Sequence, residues 1–256
     1  HRDQHIPLGV RSRLRLFAAQ CILKLATCDA YASLILPRMG RLSYALQDEC
    51  FQVRMHLLHD LLLYLMRDEL PTEFHAAIFL VAFDPEDEPR VQVASYTRRL
   101  QVLPPIVRHE RLERIIVRFL HLLAHHPDLN AESPQTLCSF ARYLEFYLAC
   151  VACETNIGVL ARFSACVRTY IDLSPSEPSV ENSRPLYAMA ELAQFLIQRL
   201  ADNHGWTIYP VDEEAPCPKD ILRSTGTIAR SVLDGEVWEL LQQQPRRHRD
   251  KKTKVA

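Results

Sequence analysis

Apolar residues recur at three- and four-residue spacing along most of the chain. This spacing places them on one face of an α-helix, whereas a strand would need an alternation of apolar and polar positions, which is absent. Two runs show the helical pattern clearly: Leu14, Phe17, Ala18, Cys21, Ile22 and Leu25, and Leu112, Ile115, Ile116, Phe119, Leu122 and Leu123. The sequence therefore predicts an all-α protein.

Glycines and prolines divide this pattern into segments. The 6 glycines and 16 prolines lie mostly where one apolar pattern stops or another starts, as is typical of helix boundaries. The pattern predicts helices near residues 10–27, 30–46, 50–69, 71–83, 88–101, 109–125, 134–153, 156–172, 184–203 and 227–244. Connections are short as far as residue 172, which favours antiparallel pairs of neighbouring helices.

Two segments lack the helical pattern and suggest a domain organisation. Residues 173–184 form a polar loop, and HGWTIYPVDEEAPCPKDILRSTG is extended and proline-bearing. We expect the second to lie as an arm over the helices, because Trp206, Ile208 and Tyr209 require burial. The predicted organisation is helical repeats over 1–203, an extended arm over 204–226, a terminal helix over 227–244 and a disordered basic tail over 245–256.

An aspartate and an arginine recur six residues apart. Asp48 and Arg54 form the first pair, and Asp84 and Arg90 form a second pair 36 residues later (84 − 48). The motif HHPDL then puts His126 in the place of Asp84, 42 residues further on (126 − 84). This weak periodicity indicates a repeated unit that becomes atypical toward the C-terminus.

A helix–turn–helix unit of about 40 residues resembles a HEAT repeat. In HEAT arrays the aspartate lies in the turn before the second helix and the arginine one turn into it, which forms a ladder of hydrogen bonds between stacked repeats. The resemblance implies a HEAT-repeat α-solenoid with Asp48, Arg54, Asp84 and Arg90 as a structural ladder. Acidic residues of its own turn or of a neighbouring turn would then accept hydrogen bonds from the Arg54 guanidinium. Each such bond would stabilise the fold by about 1.5–3 kcal/mol. The alternative is a solvated arginine on an exposed face.

Four strings carry a closer resemblance. They are RLRLFAAQCILKLA at 13–26, LQDECFQVRMHLLHDL at 46–61, AAIFLVAFDPEDEPR at 76–90 and HLLAHHPDL at 121–129. Their sequences, order and rough spacing resemble the Pds family of cohesin regulators, the precocious-dissociation-of-sisters proteins. His126 departs from the family, which has an acidic residue there. After residue 130 the match is vague, although 204–226 resembles the segment that ends the family's helical body.

The resemblance implies a non-enzymatic scaffold that regulates sister chromatid cohesion. Such a protein would bind the kleisin subunit of the cohesin ring on chromatin in the nucleus. This chain would be the C-terminal part of a longer solenoid, and most of the kleisin contact would lie upstream of it. The alternative is a generic HEAT-repeat scaffold for another assembly, such as a nuclear transport adaptor or a phosphatase subunit.

Composition and motifs exclude other classes of function. The net charge is −1, so no global field attracts the chain to nucleic acid or a membrane. The longest apolar run, Ala76 to Phe83, is too short to span a bilayer. The sequence contains no glycine-rich phosphate loop and no G-x-S-x-G nucleophile motif. We therefore expect no enzyme, no cofactor and no small-molecule substrate.

Three side-chain clusters resemble metal or redox motifs. Cys150 and Cys153 form a CxxC within an apolar helical run, where buried packing is favoured over metal binding. His121 and His125 lie one helical turn apart, but they lack a metalloprotease glutamate and an obvious third ligand. We therefore interpret them as a pair that interacts with the helix C-terminal dipole. The remaining cluster, expected to rim a half-buried helix, comprises His56, His59 and Asp60.

Basic residues form two local groups. Four arginines at helical spacing form a stripe that is either a solvated helix face or a weak phosphate-binding contact to DNA: Arg108, Arg111, Arg114 and Arg118. The tail is rich in basic residues and typical of a nuclear import signal, with a merely solubilising tail as the alternative: Arg246, Arg247, Arg249, Lys251, Lys252 and Lys254.

Overall fold

The computed structural model of the chain describes residues 7–243, and most of this part is helical. The α-helices are α1 Leu8–Leu25, α2 Asp29–Ile35, α3 Met39–Ser43, α4 Phe51–Met66, α5 Asp87–Gln101, α6 Pro105–Arg108, α7 Ile116–Ala124, α8 Pro134–Val151, α9 Ile157–Cys166, α10 Arg184–His204 and α11 Gly235–Gln243. Segments of 3₁₀ helix span Leu36–Arg38, Tyr44–Gln47, Thr72–Phe83 and Val167–Thr169, and a π-helical turn spans His109–Glu113. The predicted helical class is confirmed.

The 3₁₀ helix Thr72–Phe83 lies at the centre of the core. Every residue from Phe74 to Ala82 is buried, because this stretch carries almost no polar side chain to place in water. It packs against α4, α5, α7 and α8. The ring of Phe79 lies 5.7 Å from Phe119 on α7 and 4.9 Å from Tyr147 on α8, measured between centroids. Three helical segments, the 3₁₀ helix, α7 and α8, therefore meet at one aromatic cluster.

Long helix α10 covers a second part of the core. It packs against α7, α8 and α9, while α11 packs on α8 and α1 packs on α4. The outer face of α1 is apolar and exposed, with Leu14 at 55% and Phe17 at 66% exposure. No helix within residues 7–243 combines the length and hydropathy needed to cross a bilayer.

The predicted helix over 30–46 is wrong in its continuity. The structure divides this stretch into α2, a 3₁₀ turn, α3 and a second 3₁₀ turn that ends at Gln47. Pro37 lies at the start of the first 3₁₀ turn, where its ring removes one backbone donor that a continuous helix would need. Asp48 then has an extended backbone, so the chain turns before α4 begins.

Two short strands were not predicted. Strand β1, Tyr170–Asp172, pairs antiparallel with strand β2, Leu222–Ser224, so that Ile171 faces Arg223. The predicted helix over 156–172 accordingly stops early, because α9 ends at Cys166. A three-residue strand is too short to show an alternating pattern, and its partner lies about fifty residues away in the sequence.

The segment 204–226 leaves α10 through Gly205, whose φ of 68° is the left-handed conformation that glycine favours. It crosses α9 so closely that a Cβ on Gly158 would lie 2.6 Å from the carbonyl oxygen of Tyr209. Trp206 and Ile208 are half-buried, as their size requires, but the expectation that Tyr209 is buried is wrong, since its side chain is exposed.

The predicted helix over 227–244 begins only at Gly235. Residues before it are held by the buried carboxylate of Glu191, which accepts hydrogen bonds from the N–H groups of Val232 and Leu233 and from the Ser231 hydroxyl. These donors are satisfied by a side chain instead of by helical carbonyls, so this part of the chain stays non-helical. The predicted basic tail over 245–256 lies outside the described residues.

Candidate functional site

Four interhelical junctions share one turn geometry. At each, a side chain accepts a hydrogen bond from the backbone N–H two residues later. Asp48 accepts from Cys50 at 2.8 Å, Asp84 from Glu86 at 3.0 Å, His126 Nδ1 from Asp128 at 3.1 Å and Asp172 from Ser174 at 2.9 Å. In this bond a side chain takes the place of a backbone carbonyl as the acceptor, which holds the turn. At the first, second and fourth junctions, the carboxylate of the turn also meets a basic side chain from an earlier part of the chain.

At the first junction, Asp48 binds Arg15 of α1. Arg15 Nε lies 2.6 Å from Asp48 Oδ2, and its Nη2 lies 2.9 Å from Oδ1, which is a bidentate pair. Burial alone would raise the pKa of Asp48, but the hydrogen bonds from Arg15 and from the Cys50 N–H lower it below the ordinary value. The carboxylate therefore stays charged while it ties α1 to the turn before α4.

At the second junction, Arg54 of α4 joins two turns. Its Nε and Nη2 donate to the carboxylate of Asp84 at 2.8 Å and 3.2 Å, and its Nη1 donates to the backbone carbonyl of Asp48 at 2.8 Å. Nη2 also contacts Glu86. The guanidinium thus donates hydrogen bonds to a carboxylate of the following turn and to a backbone carbonyl of its own turn.

Arg90 repeats half of this arrangement. It donates to the carbonyl of Asp84, as Arg54 does to that of Asp48, but its carboxylate partner is Asp87 on its own helix. At the third junction the turn residue that accepts the backbone N–H is His126 instead of an aspartate. That imidazole is buried and its Nε2 hydrogen bonds to Gln47. The series of arginine–aspartate pairs therefore stops where His126 stands.

At the fourth junction, Asp172 of β1 meets two imidazoles, that of His121 in α7 and that of His125 directly after it. His121 Nε2 lies 3.3 Å from Asp172 Oδ1 and 2.9 Å from the Ser174 hydroxyl, while His125 Nε2 lies 2.6 Å from Asp172 Oδ2. Burial would raise the pKa of Asp172, but the hydrogen bonds from the two histidines hold it well below its usual range. Burial lowers the pKa of His121.

This geometry corrects the interpretation of His121 and His125 as a pair without a third partner. The fold supplies Asp172 from 47 residues further along (172 − 125), on a strand that the sequence did not predict. One signal could have found it: Asp172 follows His126 by 46 residues (172 − 126), close to the earlier intervals, and stands before a serine in the same turn. The junction series extends one unit beyond His126, the last position of the predicted periodicity.

The four predicted stripe arginines all face carboxylates. Arg111 pairs with Asp68, Arg114 with Glu110 and Glu213, Arg108 with Glu113, and Arg118 with Asp220. Arg118 is buried, and both of its terminal nitrogens lie 2.7 Å from the Asp220 carboxylate. The acids Glu213 and Asp220 belong to 204–226. Arg114 and Arg118 therefore tether that segment to the helices.

The remaining predicted clusters are separate from these junctions. Cys150 is buried, and burial raises the pKa of its thiol to about 11, whereas Cys153 is only half-buried. His56 and His59 are exposed on α4, and Asp60 accepts a hydrogen bond from Gln20. The import-signal residues of the tail, 246–254, lie outside the described residues.

Comparisons with known proteins point to one family. A family model described as "Sister chromatid cohesion protein PDS5 protein" matches residues 1–223. The pds5 protein of Schizosaccharomyces pombe is 26% identical over 88% of this chain and 18% of its own length. The Saccharomyces cerevisiae PDS5 protein is 24% identical over 91% of this chain and 20% of its own length. PDS5 homolog A of Danio rerio is 36% identical over 49% of this chain and 10% of its own length. The chain spans a fifth or less of these relatives.

Proposed function

Because the chain belongs to the PDS5 family of sister chromatid cohesion proteins, we propose that it is part of a non-enzymatic scaffold for sister chromatid cohesion. The membership confirms the resemblance carried by the four sequence strings. The single observation that carries the proposal is the family match over residues 1–223. The relatives are named as sister chromatid cohesion proteins. A helical body built from repeated units offers an extended surface for binding other proteins.

We further propose that the chain forms one part of a longer HEAT-like solenoid. The turns at Asp48, Asp84, His126 and Asp172 recur at intervals of 36, 42 and 46 residues, and each carries the same side-chain-to-backbone hydrogen bond. The exposed apolar face of α1, including Phe17, supports continuation of the solenoid. In this arrangement α1 packs against a further helix pair of the longer protein.

The proposed partner is the cohesin ring through its kleisin subunit, on chromatin in the nucleus. Most of this contact lies in parts of the scaffold outside residues 7–243, and this chain contributes one segment of the solenoid. The contacts of the four stripe arginines do not favour the weak DNA contact expected from their spacing. Their carboxylate partners already neutralise them, which leaves little charge for phosphate.

The test uses cells whose only copy of the full-length protein lacks residues 7–243. We expect sister chromatids to separate before anaphase, because the scaffold loses its terminal surface. The matched control is the full-length protein with His56→Gln and His59→Gln, two exposed substitutions on α4, which should preserve cohesion. Normal cohesion in the deletion strain, together with loss of a transport receptor or a phosphatase subunit from the purified protein, would favour the generic scaffold instead.

The tail is proposed as the nuclear import signal. Its sequence combines six basic residues with one aspartate between 246 and 254, a composition that import receptors recognise. Replacing Lys251, Lys252 and Lys254 with alanine should move a fluorescent fusion of the chain into the cytoplasm. Unchanged nuclear fluorescence would show that the tail only solubilises the protein.

A further inference from the structure

The fourth junction differs from the first two in the group that meets its buried carboxylate. Asp48 and Asp84 each bind an arginine, whose guanidinium carries a permanent positive charge. Asp172, whose side chain is only 2% exposed, binds two imidazoles instead. An imidazole lacks that permanent charge at neutral pH and offers a lone pair to a metal ion. This junction therefore has metal-ligand chemistry in the position where its counterparts have an ion pair.

The three side chains converge as metal ligands do. One nitrogen from each imidazole and one oxygen of Asp172 all lie within 4.8 Å of one another. At about 2.0–2.1 Å from a tetrahedral zinc ion, ligand atoms are about 3.3 Å apart. His121 Nε2 and Asp172 Oδ1 already have this separation, at 3.3 Å. His125 Nε2 lies 2.6 Å from the other carboxylate oxygen, Oδ2, so one side chain must shift for both imidazoles to share an ion with a single oxygen of Asp172.

Rigid elements hold these ligands in place. His121 lies in the last turn of α7, His125 is the residue that directly follows the helix, and Asp172 is paired within the β1–β2 ribbon. The Asp172 carboxylate accepts the Ser174 N–H, and the Asp172 N–H donates to the Ser183 hydroxyl at 3.0 Å. Hydrogen bonds to a ligating carboxylate orient it toward the metal. The site needs little ordering on binding.

Solvent can reach the two imidazoles. His121, His125 and Ser174 line a cleft of about 440 Å³ beside α3. A water molecule from this cleft can complete a four-coordinate shell, as in zinc sites with three protein ligands. The nearest arginine of α7, Arg118, is bound by Asp220 on both terminal nitrogens, so its charge is compensated locally.

We propose that His121, His125 and Asp172 bind a single divalent transition-metal ion, with zinc as the best match to a two-histidine, one-carboxylate set. The ion fastens α7 to strand β1 and replaces the arginine–aspartate pair of the earlier junctions. Among residues 7–243, this trio is the one group of three or more histidine, cysteine or acidic side chains whose potential ligand atoms lie this close together.

The test titrates Co²⁺ into the full chain and records its visible absorption. We expect one tightly bound ion per chain, a tetrahedral spectrum without a thiolate charge-transfer band, displacement by an equal amount of Zn²⁺, and a higher melting temperature with zinc. His125→Gln and Asp172→Asn should each weaken binding by about 100-fold or more, since even outer-shell changes cost 10–100-fold. Both variants keep a hydrogen-bonding side chain, and their circular dichroism without metal checks their folding.

The matched control is His56→Gln with His59→Gln, which removes two exposed histidines one turn apart on α4 and should leave Co²⁺ binding unchanged. A thiolate charge-transfer band would place the metal on the cysteines, and stoichiometric binding that survives both His125→Gln and Asp172→Asn would place it away from this trio; either result would overturn the proposal. Failure of the unmodified chain to bind Co²⁺ or Zn²⁺ would also overturn it and leave a hydrogen-bonded His–Asp–His cluster.

Discussion

Arg54 offers a direct measurement of how the junctions hold adjacent helices together. Its side chain is 8% exposed and that of its carboxylate partner Asp84 is 1% exposed. In Arg54→Met, Asp84 keeps the Glu86 N–H as a donor but loses its cation. Breaking a buried ion pair from one side typically costs about 3–5 kcal/mol. Because Arg54 retains some solvent contact, we expect a loss of about 3 kcal/mol in the free energy of unfolding.

A double-mutant cycle assigns that loss to a partner. Asp84→Asn can keep the oxygen that accepts the Glu86 N–H, but it removes the charge and puts an amide NH2 in place of the Oδ2 that accepts from Arg54 Nε. The double variant with Arg54→Met should be more stable than the sum of the single losses predicts, by about 2 kcal/mol. In the second cycle, Asp48→Asn with Arg54→Met should be additive to within about 0.5 kcal/mol, because Arg54 binds Asp48 through its backbone carbonyl.

The assay is urea denaturation of the full chain followed by far-ultraviolet circular dichroism, with m-values compared between variants. Equal m-values would show that each variant exposes the same amount of surface on unfolding. If the coupling with Asp84 is absent and the coupling with Asp48 is large, then the residues six apart in sequence are the true pair. That result would refute the junction geometry described above.

Two further predictions concern burial and close packing. Burial lowers the pKa of His75 to about 4, while the unfolded chain protonates this imidazole near its ordinary value of about 6.5. The stability contributed by neutral His75 should therefore be complete above about pH 6.5 and decline by about 3 kcal/mol as the pH falls to 4. Urea denaturation should show this decline, and a His75→Gln variant that declines equally would contradict it. Gly158→Ala should cost about 1–3 kcal/mol, because a Cβ there meets the Tyr209 carbonyl, whereas Gly9→Ala, with open space around it, should cost nothing.

Much of the local structure was readable from the sequence because it depends on neighbours within a few turns. The three-and-four spacing in α1 and α7 predicted helices, since the apolar face of a helix repeats every 3.6 residues. The family also followed from short strings, and Asp48 and Arg54, six residues apart, lie in a turn and in the first turn of the helix that follows it. The sequence alone left open whether Arg54 met its own turn or a neighbour's.

The junction between Asp172 and the two histidines at the end of α7, His121 and His125, was decided by the tertiary structure alone. Strand β1 exists because β2 lies beside it, and a three-residue segment has no pattern of its own that distinguishes strand from helix. The interval of 47 residues between His125 and Asp172 contains α8, α9 and three connections, so no local rule relates them. Sequence periodicity determines which face of each helix is buried, whereas the packing of distant segments determines which charged groups that face meets.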